Sequence, residues 1–108
     1  MDKFALINRY HVRALAYFID KLQKTPDGDG TQLDHSLVLY GSGMSNGNQH
    51  DHDPLPVVVV GGGSGQMKGG RHMKYAPHTP RSNLLLSMLD KLGIQQEKFG
   101  DSTGKLEV

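Results

Sequence analysis

The chain contains no cysteine and no tryptophan, and only four tyrosines and three phenylalanines among its 108 residues. The absence of cysteine excludes a disulfide scaffold and any thiolate metal site. The longest apolar run, residues 55–60, is far shorter than the roughly 20 residues that cross a bilayer. We therefore expect no membrane span, and the chain shows no signal-peptide pattern.

A surplus of charge of one sign is also lacking, because 12 Lys and Arg face 11 Asp and Glu. A net charge of +1 argues against a nucleic-acid partner, which needs a clustered cationic face. Residues 35–66 contain no Lys or Arg at all. The same stretch holds His35, His50, His52, Asp51 and Asp53. Imidazoles and carboxylates without a competing cation are what a divalent metal site requires.

Glycine, in contrast, is abundant, with 14 residues in the chain, about twice the usual frequency. Most of these glycines fall in two loops, residues 41–47 and 61–70. Neither loop has the spacing of a dinucleotide or phosphate-binding fingerprint. Residues 27–31 (DGDGT) lack the further carboxylates of a calcium loop and predict a turn.

The first 24 residues predict an amphipathic helix, Asp2–Lys24, with Asp2 as its cap and Pro26 ending it. Its apolar stripe recurs at three- and four-residue steps. The stripe consists of Phe4, Ile7, His11, Leu15, Phe18, Ile19 and Leu22. We expect His11 to be packed, and His35 and His78 to lie on the surface at the ends of elements.

Two apolar runs, residues 36–40 and 56–60, predict buried strands. The residues between them show no helical pattern, so the strands are expected to be antiparallel. Residues 72–75 are a candidate third, edge strand.

A second helix is predicted to start with Thr79 as N-cap and Pro80 at the first helical position, and to stop at Gly93. The polar tail after Phe99 is expected to become ordered only by docking. The element order αββ(β)α is that of an α/β protein, but two helices cannot cover both faces of a sheet. We therefore predict that residues 1–108 are part of a larger three-layer α/β domain.

Three clusters are candidate sites. In an extended segment His50 and His52 point to the same side and, with Asp51, would bind a metal; the alternative is a solvated polar loop. Ser42, among glycines after the first strand, would bind an oxyanion or substrate; the alternative is a flexible connector. Arg71 and His72 would face an anion; the alternative is a mobile loop.

Six segments, in this order, resemble the C-terminal part of the HXXSHH family (DUF1552) of secreted bacterial proteins. They are INRYHV at 7–12, DGDGT at 27–31, LYGSGMS at 39–45, HDH at 50–52, GGRH at 69–72 and FGDSTG at 99–104. The resemblance implies that residues 1–108 form one C-terminal fragment, that its partner is the upstream part of its own domain, and that the protein is periplasmic or secreted.

More distantly, the pattern is similar to the end of the alkaline phosphatase and sulfatase superfamily. This similarity implies a partial three-layer α/β/α sandwich, a divalent metal such as zinc or calcium, and, if the protein is an active enzyme, hydrolysis of phosphate or sulfate esters. Where that superfamily places Asp and His ligands, this chain has GSGM at 41–44, so only His50 and His52 remain as candidates.

The predicted function is therefore that of a part of a hydrolase-like protein, inactive alone, with its catalytic residues unknown. The alternative is a non-catalytic binding or structural domain that has lost the metal site. In either case, unpaired strand edges predict self-association of the isolated chain.

Overall fold

The computed structural model describes residues 2–108. This part of the chain is mixed α/β, with two helices and two antiparallel two-stranded sheets, which confirms the predicted class. The elements are α1 (Asp2–Lys24), β1 (Pro26–Asp27), β2 (Gly30–Thr31), β3 (Val38–Gly41), β4 (Val57–Val60) and α2 (Arg81–Lys91). A short 3-10 turn, Gly63–Gly65, lies between β4 and α2.

Helix α1 has the predicted ends, because proline follows it and its apolar residues keep the helical period. Only Leu15, Ile19 and Leu22 are half-buried, where the C-terminal half of α1 lies against the β1–β2 hairpin. The prediction that His11 is packed is wrong, since nothing covers that face of α1 and the residue is exposed. The prediction that Asp2 caps α1 is wrong, because Asp2 is already inside the first helical turn, where its negative charge interacts favourably with the helix dipole.

The DGDGT turn is the loop of the β1–β2 hairpin, with Pro26 paired to Thr31 and Asp27 paired to Gly30. Gly28 has a φ of 58°, a conformation that glycine adopts without steric cost. The backbone N–H of Gln32 donates to the Thr25 carbonyl at 2.9 Å, which ties the hairpin to the end of α1.

Strands β3 and β4 are antiparallel, as predicted, with Val38 opposite Val60 and Gly41 opposite Val57. The expectation that both strands are buried is wrong within residues 2–108. Leu39 is 37% exposed and Val58 is 52% exposed. Leu39 pairs with Val59 and Val58 pairs with Tyr40, so the two exposed side chains lie on opposite faces and neither face of the sheet is fully covered. A two-stranded sheet without complete cover is marginal by itself.

The loop after β4 packs closely against residues 33–36 and needs its glycines. A Cβ added at Gly61, whose φ is 118°, would lie 2.1 Å from the Ser36 carbonyl oxygen. The next amides continue this contact, since Gly62 N–H donates to the Leu33 carbonyl and Gly63 N–H donates to the Ser36 carbonyl, both at 3.0 Å. Residues 61–63 therefore form a closely fitted turn, whereas Gly65, Gly69 and Gly70 have open space around them.

The predicted edge strand at 72–75 is wrong, because this segment packs against the C-terminal tail and not against the sheet. The Tyr75 hydroxyl donates to the Glu107 carbonyl at 2.8 Å. Helix α2 begins one residue later than predicted, with Pro80 as its N-cap. The Thr79 hydroxyl donates to the Ala76 carbonyl at 2.6 Å and does not cap the helix. Gly93 follows α2 with a φ of 79°, as expected of a helix stop.

The best-buried part of the described chain is the side of α2 that faces the C-terminal tail. Leu86 is 1% exposed. The other buried side chains there are polar and belong to Ser82, Asn83, Ser87 and Ser102. The predicted docking of the tail is confirmed, and it occurs through hydrogen bonds to these polar groups.

Candidate functional site

A single loop joins β3 to β4, and its first and last residues meet at one end of the sheet. We call residues 41–45 and 50–54, together with Arg81, the β3 corner. Gly41 is required there, because a Cβ at this position would lie 2.7 Å from the Pro56 carbonyl oxygen. The Ser42 hydroxyl accepts the Met44 N–H at 3.2 Å, which leaves its own proton available to a ligand.

Two consecutive peptide carbonyls of the β3 corner, those of Ser42 and Gly43, accept hydrogen bonds from side chains farther along the chain. Arg81, the first residue of α2, donates from Nη1 to the Ser42 carbonyl at 3.3 Å. His52 donates from Nδ1 to the Gly43 carbonyl at 2.6 Å. Because Nδ1 carries the proton in this hydrogen bond, the Nε2 lone pair of His52 is free, as in a metal-binding histidine oriented by a backbone carbonyl.

His50 and Asp51 belong to a turn rather than to an extended segment. His50 has a φ of 55°, and Asp51 forms a bridge with Asn46 across the loop. The Asp51 carboxylate accepts the backbone N–H of Asp53 at 3.1 Å. The prediction that His50 and His52 point to the same side assumed an extended segment. His50 does not have an extended backbone, so that assumption is wrong. Among residues 2–108, no group of three His, Asp or Glu side chains is arranged to hold a metal ion.

A third contact joins the β3 corner to the segment before α2, since Nδ1 of His78 pairs with a carboxylate oxygen of Asp53. His78 was predicted only as a surface residue; its side chain is 85% exposed and has this carboxylate partner. Next to the corner lies an open cleft of about 280 Å³. The cleft is lined by Leu39, Gly41, Val57, Arg81 and Leu85.

Arg71 and His72, the predicted anion-binding pair, lie in the long loop before α2. Arg71 donates from Nε to the Lys68 carbonyl at 2.9 Å, and its guanidinium contacts the sulfur atoms of Met67 and Met73. These contacts all lie within residues 67–73. The structure thus places Ser42 in the β3 corner and shows no hydrogen bond from Arg71 to it.

A separate ionic cluster surrounds His35 at the β1–β2 hairpin. Its Nδ1 lies 2.9 Å from a carboxylate oxygen of Asp27, and its Nε2 lies 2.9 Å from one of Asp29. The hydrogen bond with Asp27, followed by the negative charges of both carboxylates, raises the pKa of His35 although partial burial opposes this. The backbone N–H of Thr31 donates to Asp34 and lowers the pKa of that carboxyl. His35 is thus a half-buried ion-paired residue, not a free surface histidine.

Sequence reasoning did not find Arg81 as a site residue or Asp53 as the partner of His78. Arg81 lies 39 positions from Ser42, and helical periodicity marks it only as the polar start of a helix. No local pattern in the sequence indicates that Arg81 contacts the β3 corner. The charge map showed only that residues 35–66 contain no Lys or Arg, and we interpreted that absence as favouring a metal site.

Geometry therefore defines a small mixed α/β protein with a polar corner at the end of its larger sheet. No protein-family model, no curated protein and no solved structure matches the chain. Among the helices of residues 2–108, none combines the length and the apolar character needed to cross a membrane.

Proposed function

We propose that this chain is one part of a larger three-layer α/β domain of the HXXSHH type, and that it packs onto the rest of that domain through α1. The observation that carries the proposal is the exposed surface of 8149 Å². A compact monomer of 11.8 kDa is expected to expose about 5,900 Å². The excess is larger than the area that one partner contributes to a standard protein interface, which is about 800 Å².

Helix α1 carries seven of the fifteen exposed large apolar side chains of the described residues. Its large apolar side chains lie on two sides of the helix, so a single covering layer would leave one side open. These side chains are 49% to 71% exposed, and they belong to Phe4, Leu6, Ile7, Tyr10, Val12, Tyr17 and Phe18. A helix of this kind is stable in a protein interior, where it is packed on both sides.

The six segments that resemble the HXXSHH family support the identity of that larger domain, and the similarity to phosphatases and sulfatases supports its chemistry. In this proposal His52 presents its free Nε2 to a divalent metal, zinc or calcium, and His50 or Asp51 assists. The remaining ligands come from sequence outside this chain. Such a metal would activate water for attack on a phosphate or sulfate ester, and the isolated chain would be inactive.

Metal content tests the ligand assignment. In a longer protein that contains this chain, we expect His50→Ala/His52→Ala to lower the bound zinc or calcium at least tenfold, because loss of a ligand weakens a site by more than loss of an outer-shell partner, which costs about 10- to 100-fold. His72→Ala, which removes an exposed imidazole from the loop before α2, is the matched control and should leave the metal content unchanged. Equal metal content in all three proteins would remove His50 and His52 from any site.

A second candidate is a non-catalytic binding or structural domain. The observation that favours it is that the acidic side chains at 51 and 53 already have partners within this chain. The Asp51 carboxylate accepts the N–H of Asp53, and the Asp53 carboxylate pairs with His78. The absence of Asp or His ligands in GSGM at 41–44 points the same way. In this role the chain keeps the packing surface of α1 and needs no metal.

A further inference from the structure

The C-terminal tail, residues 100–108, is held by a row of polar side chains along α2. Both polar atoms of the Asn83 amide bind Thr103, because Oδ1 accepts its N–H at 2.8 Å and Nδ2 donates to its hydroxyl at 3.1 Å. One turn further along α2, the Ser87 hydroxyl accepts the Leu106 N–H at 2.7 Å and donates to the Leu106 carbonyl at 2.9 Å. The partners advance in the same order along both segments, so the tail runs parallel to the helix.

A parallel tail requires the chain to return along α2, and the linker, residues 92–99, makes this return. All linker residues are exposed, and no backbone–backbone hydrogen bond of the described chain involves residues 95–98. An open cleft of about 380 Å³ is lined by Leu86 of α2 together with residues 95–97. Eight extended residues span about 26 Å, which exceeds the length of α2, about 16 Å. The linker therefore has few contacts to lose and enough length to take another course.

The α2 side of this contact is a preformed groove for one particular segment. Asn83 and Ser87 are buried, and they would lack partners at a cost if the tail left. The Ser82 hydroxyl adds a hydrogen bond to the Asp101 carboxylate at the start of the tail. These contacts recognise the main chain and two side chains of the tail, and the same groups are present in the tail of any other copy.

We propose that the α2 groove also takes the tail of a second copy of this chain, so that two copies exchange tails and form a closed dimer. Exchange of an identical element between copies preserves every contact of the groove and is a low-cost route to a dimer. A short flexible linker gives the chain's own tail an effective concentration in the millimolar range. The exchanged dimer is therefore expected at about millimolar protein concentration.

Two full-length chains with complementary defects test the exchange. In the first, which is isotope-labelled, Ser87→Ala removes a groove acceptor and leaves the tail intact. In the second, which is unlabelled, Thr103→Pro removes the tail N–H that Asn83 binds and leaves the groove intact. At about millimolar concentration, we expect the second chain to raise the protection of the labelled Leu106 amide against hydrogen exchange about fivefold, since its Ser87 restores one hydrogen bond.

The matched control partner carries both substitutions, Ser87→Ala/Thr103→Pro, and should give no added protection. Two results would overturn the exchange: no gain with the Thr103→Pro partner, or an equal gain with the control partner. If Thr103→Pro disturbs the amides of α2, the unlabelled wild-type chain replaces it. The wild-type chain should give a smaller gain that rises with its concentration, and the absence of that gain would likewise contradict the proposal.

Tail exchange uses α2 and not α1, so its test is separable from the larger-domain proposal. The same pair of chains is measured again with Phe4→Gln/Phe18→Gln in both, which removes apolar side chains from α1. A gain in Leu106 protection that survives these substitutions supports the exchange whatever the role of α1. A gain that disappears with them would contradict the exchange, as would association through α1 without any gain.

Discussion

At the scale of single residues, His35 forms the most specific ionic contact of the described chain. Each of its ring nitrogens lies 2.9 Å from a carboxylate, Nδ1 from Asp27 and Nε2 from Asp29. Only the protonated imidazolium can donate from both nitrogens at once. The ring therefore joins the first strand of the β1–β2 hairpin to its turn, and this contact depends on pH.

The raised pKa of His35 sets the direction in which the stability of this contact changes with pH. Its contribution to stability is fully present below about pH 6.5, the ordinary value for histidine, and is lost as the pH rises through the raised folded-state pKa. We expect Asp27→Asn to lower the His35 pKa more than Asp29→Asn does, because the hydrogen bond with Asp27 is the largest cause of the shift. NMR titration of the His35 ring resonances measures this pKa in the wild-type chain and in the two asparagine variants.

The Gln32 amide is bonded to Thr25 at the base of the hairpin, and its protection relative to the intrinsic exchange rate should fall over the same pH range in the wild-type chain. A His35 pKa at or below about 6.5, or the same pKa in both asparagine variants, would contradict the bridging geometry.

At the scale of elements, the C-terminal tail and α2 form the most complete set of buried hydrogen bonds. Thr103 N–H donates to the Asn83 side-chain oxygen at 2.8 Å, and Leu106 N–H donates to the Ser87 hydroxyl at 2.7 Å. The Ser82 hydroxyl donates to the Asp101 carboxylate. No buried side-chain nitrogen or oxygen among the described residues lacks a partner. The tail thus satisfies polar groups that would otherwise be buried at a cost.

Ser87→Ala should release the end of the tail. Ser87 is 4% exposed, so loss of its hydroxyl leaves the part-buried Leu106 N–H without an acceptor and costs about 1 kcal/mol of local stability. Hydrogen exchange of the Leu106 amide measures this loss directly. Lys105→Gln, which breaks the exposed ion pair with Asp90 in the same tail, is the control and should have little effect. An unchanged Leu106 exchange rate in Ser87→Ala would contradict the role of this hydroxyl.

Several elements were predictable because local chemistry determines them. The period of the apolar residues and the proline that follows them predict the extent of α1. The lack of a helical pattern between β3 and β4 predicts that these strands are antiparallel. Gly93 gives the stop of α2 through its positive φ. In each case the determining residues are neighbours in the sequence.

Other features were not predictable, since they depend on contacts between distant residues. The edge strand predicted at 72–75 gives way to a contact with the tail about 30 residues away, and Arg81 reaches Ser42 across 39 positions. The burial expected for His11 and β3 requires packing partners, and the described residues leave His11 exposed and cover β3 only in part. Side-chain type and spacing alone do not predict these contacts.

At the scale of the whole molecule, the chain is expanded for its length. Its radius of gyration is 15.5 Å, whereas a compact domain of this length has about 13 Å. Leu86 is the only buried large apolar side chain in the described part. A core of this size supplies little of the stability that a small domain needs. The hairpins and the α2–tail contact therefore act as local units that a larger domain must hold together.

The central claim is that α1 is a packing surface. Without its proposed partner, this surface is expected to pair with other copies of the chain, because exposed apolar area of this size favours association. Substitution of Phe4 and Phe18 by glutamine removes two aromatic side chains from the apolar stripe of α1 and should prevent that pairing. Leu92→Gln/Ile94→Gln removes two exposed apolar side chains after α2 and serves as the matched control.

Sedimentation equilibrium of the isolated chain over a range of concentrations tests this claim most directly. The account predicts an average mass that rises above the 11.8 kDa monomer with concentration, a return to the monomer in Phe4→Gln/Phe18→Gln, and no return in the control. A monomer at every concentration, with a sharp thermal unfolding transition that does not depend on concentration, would contradict it.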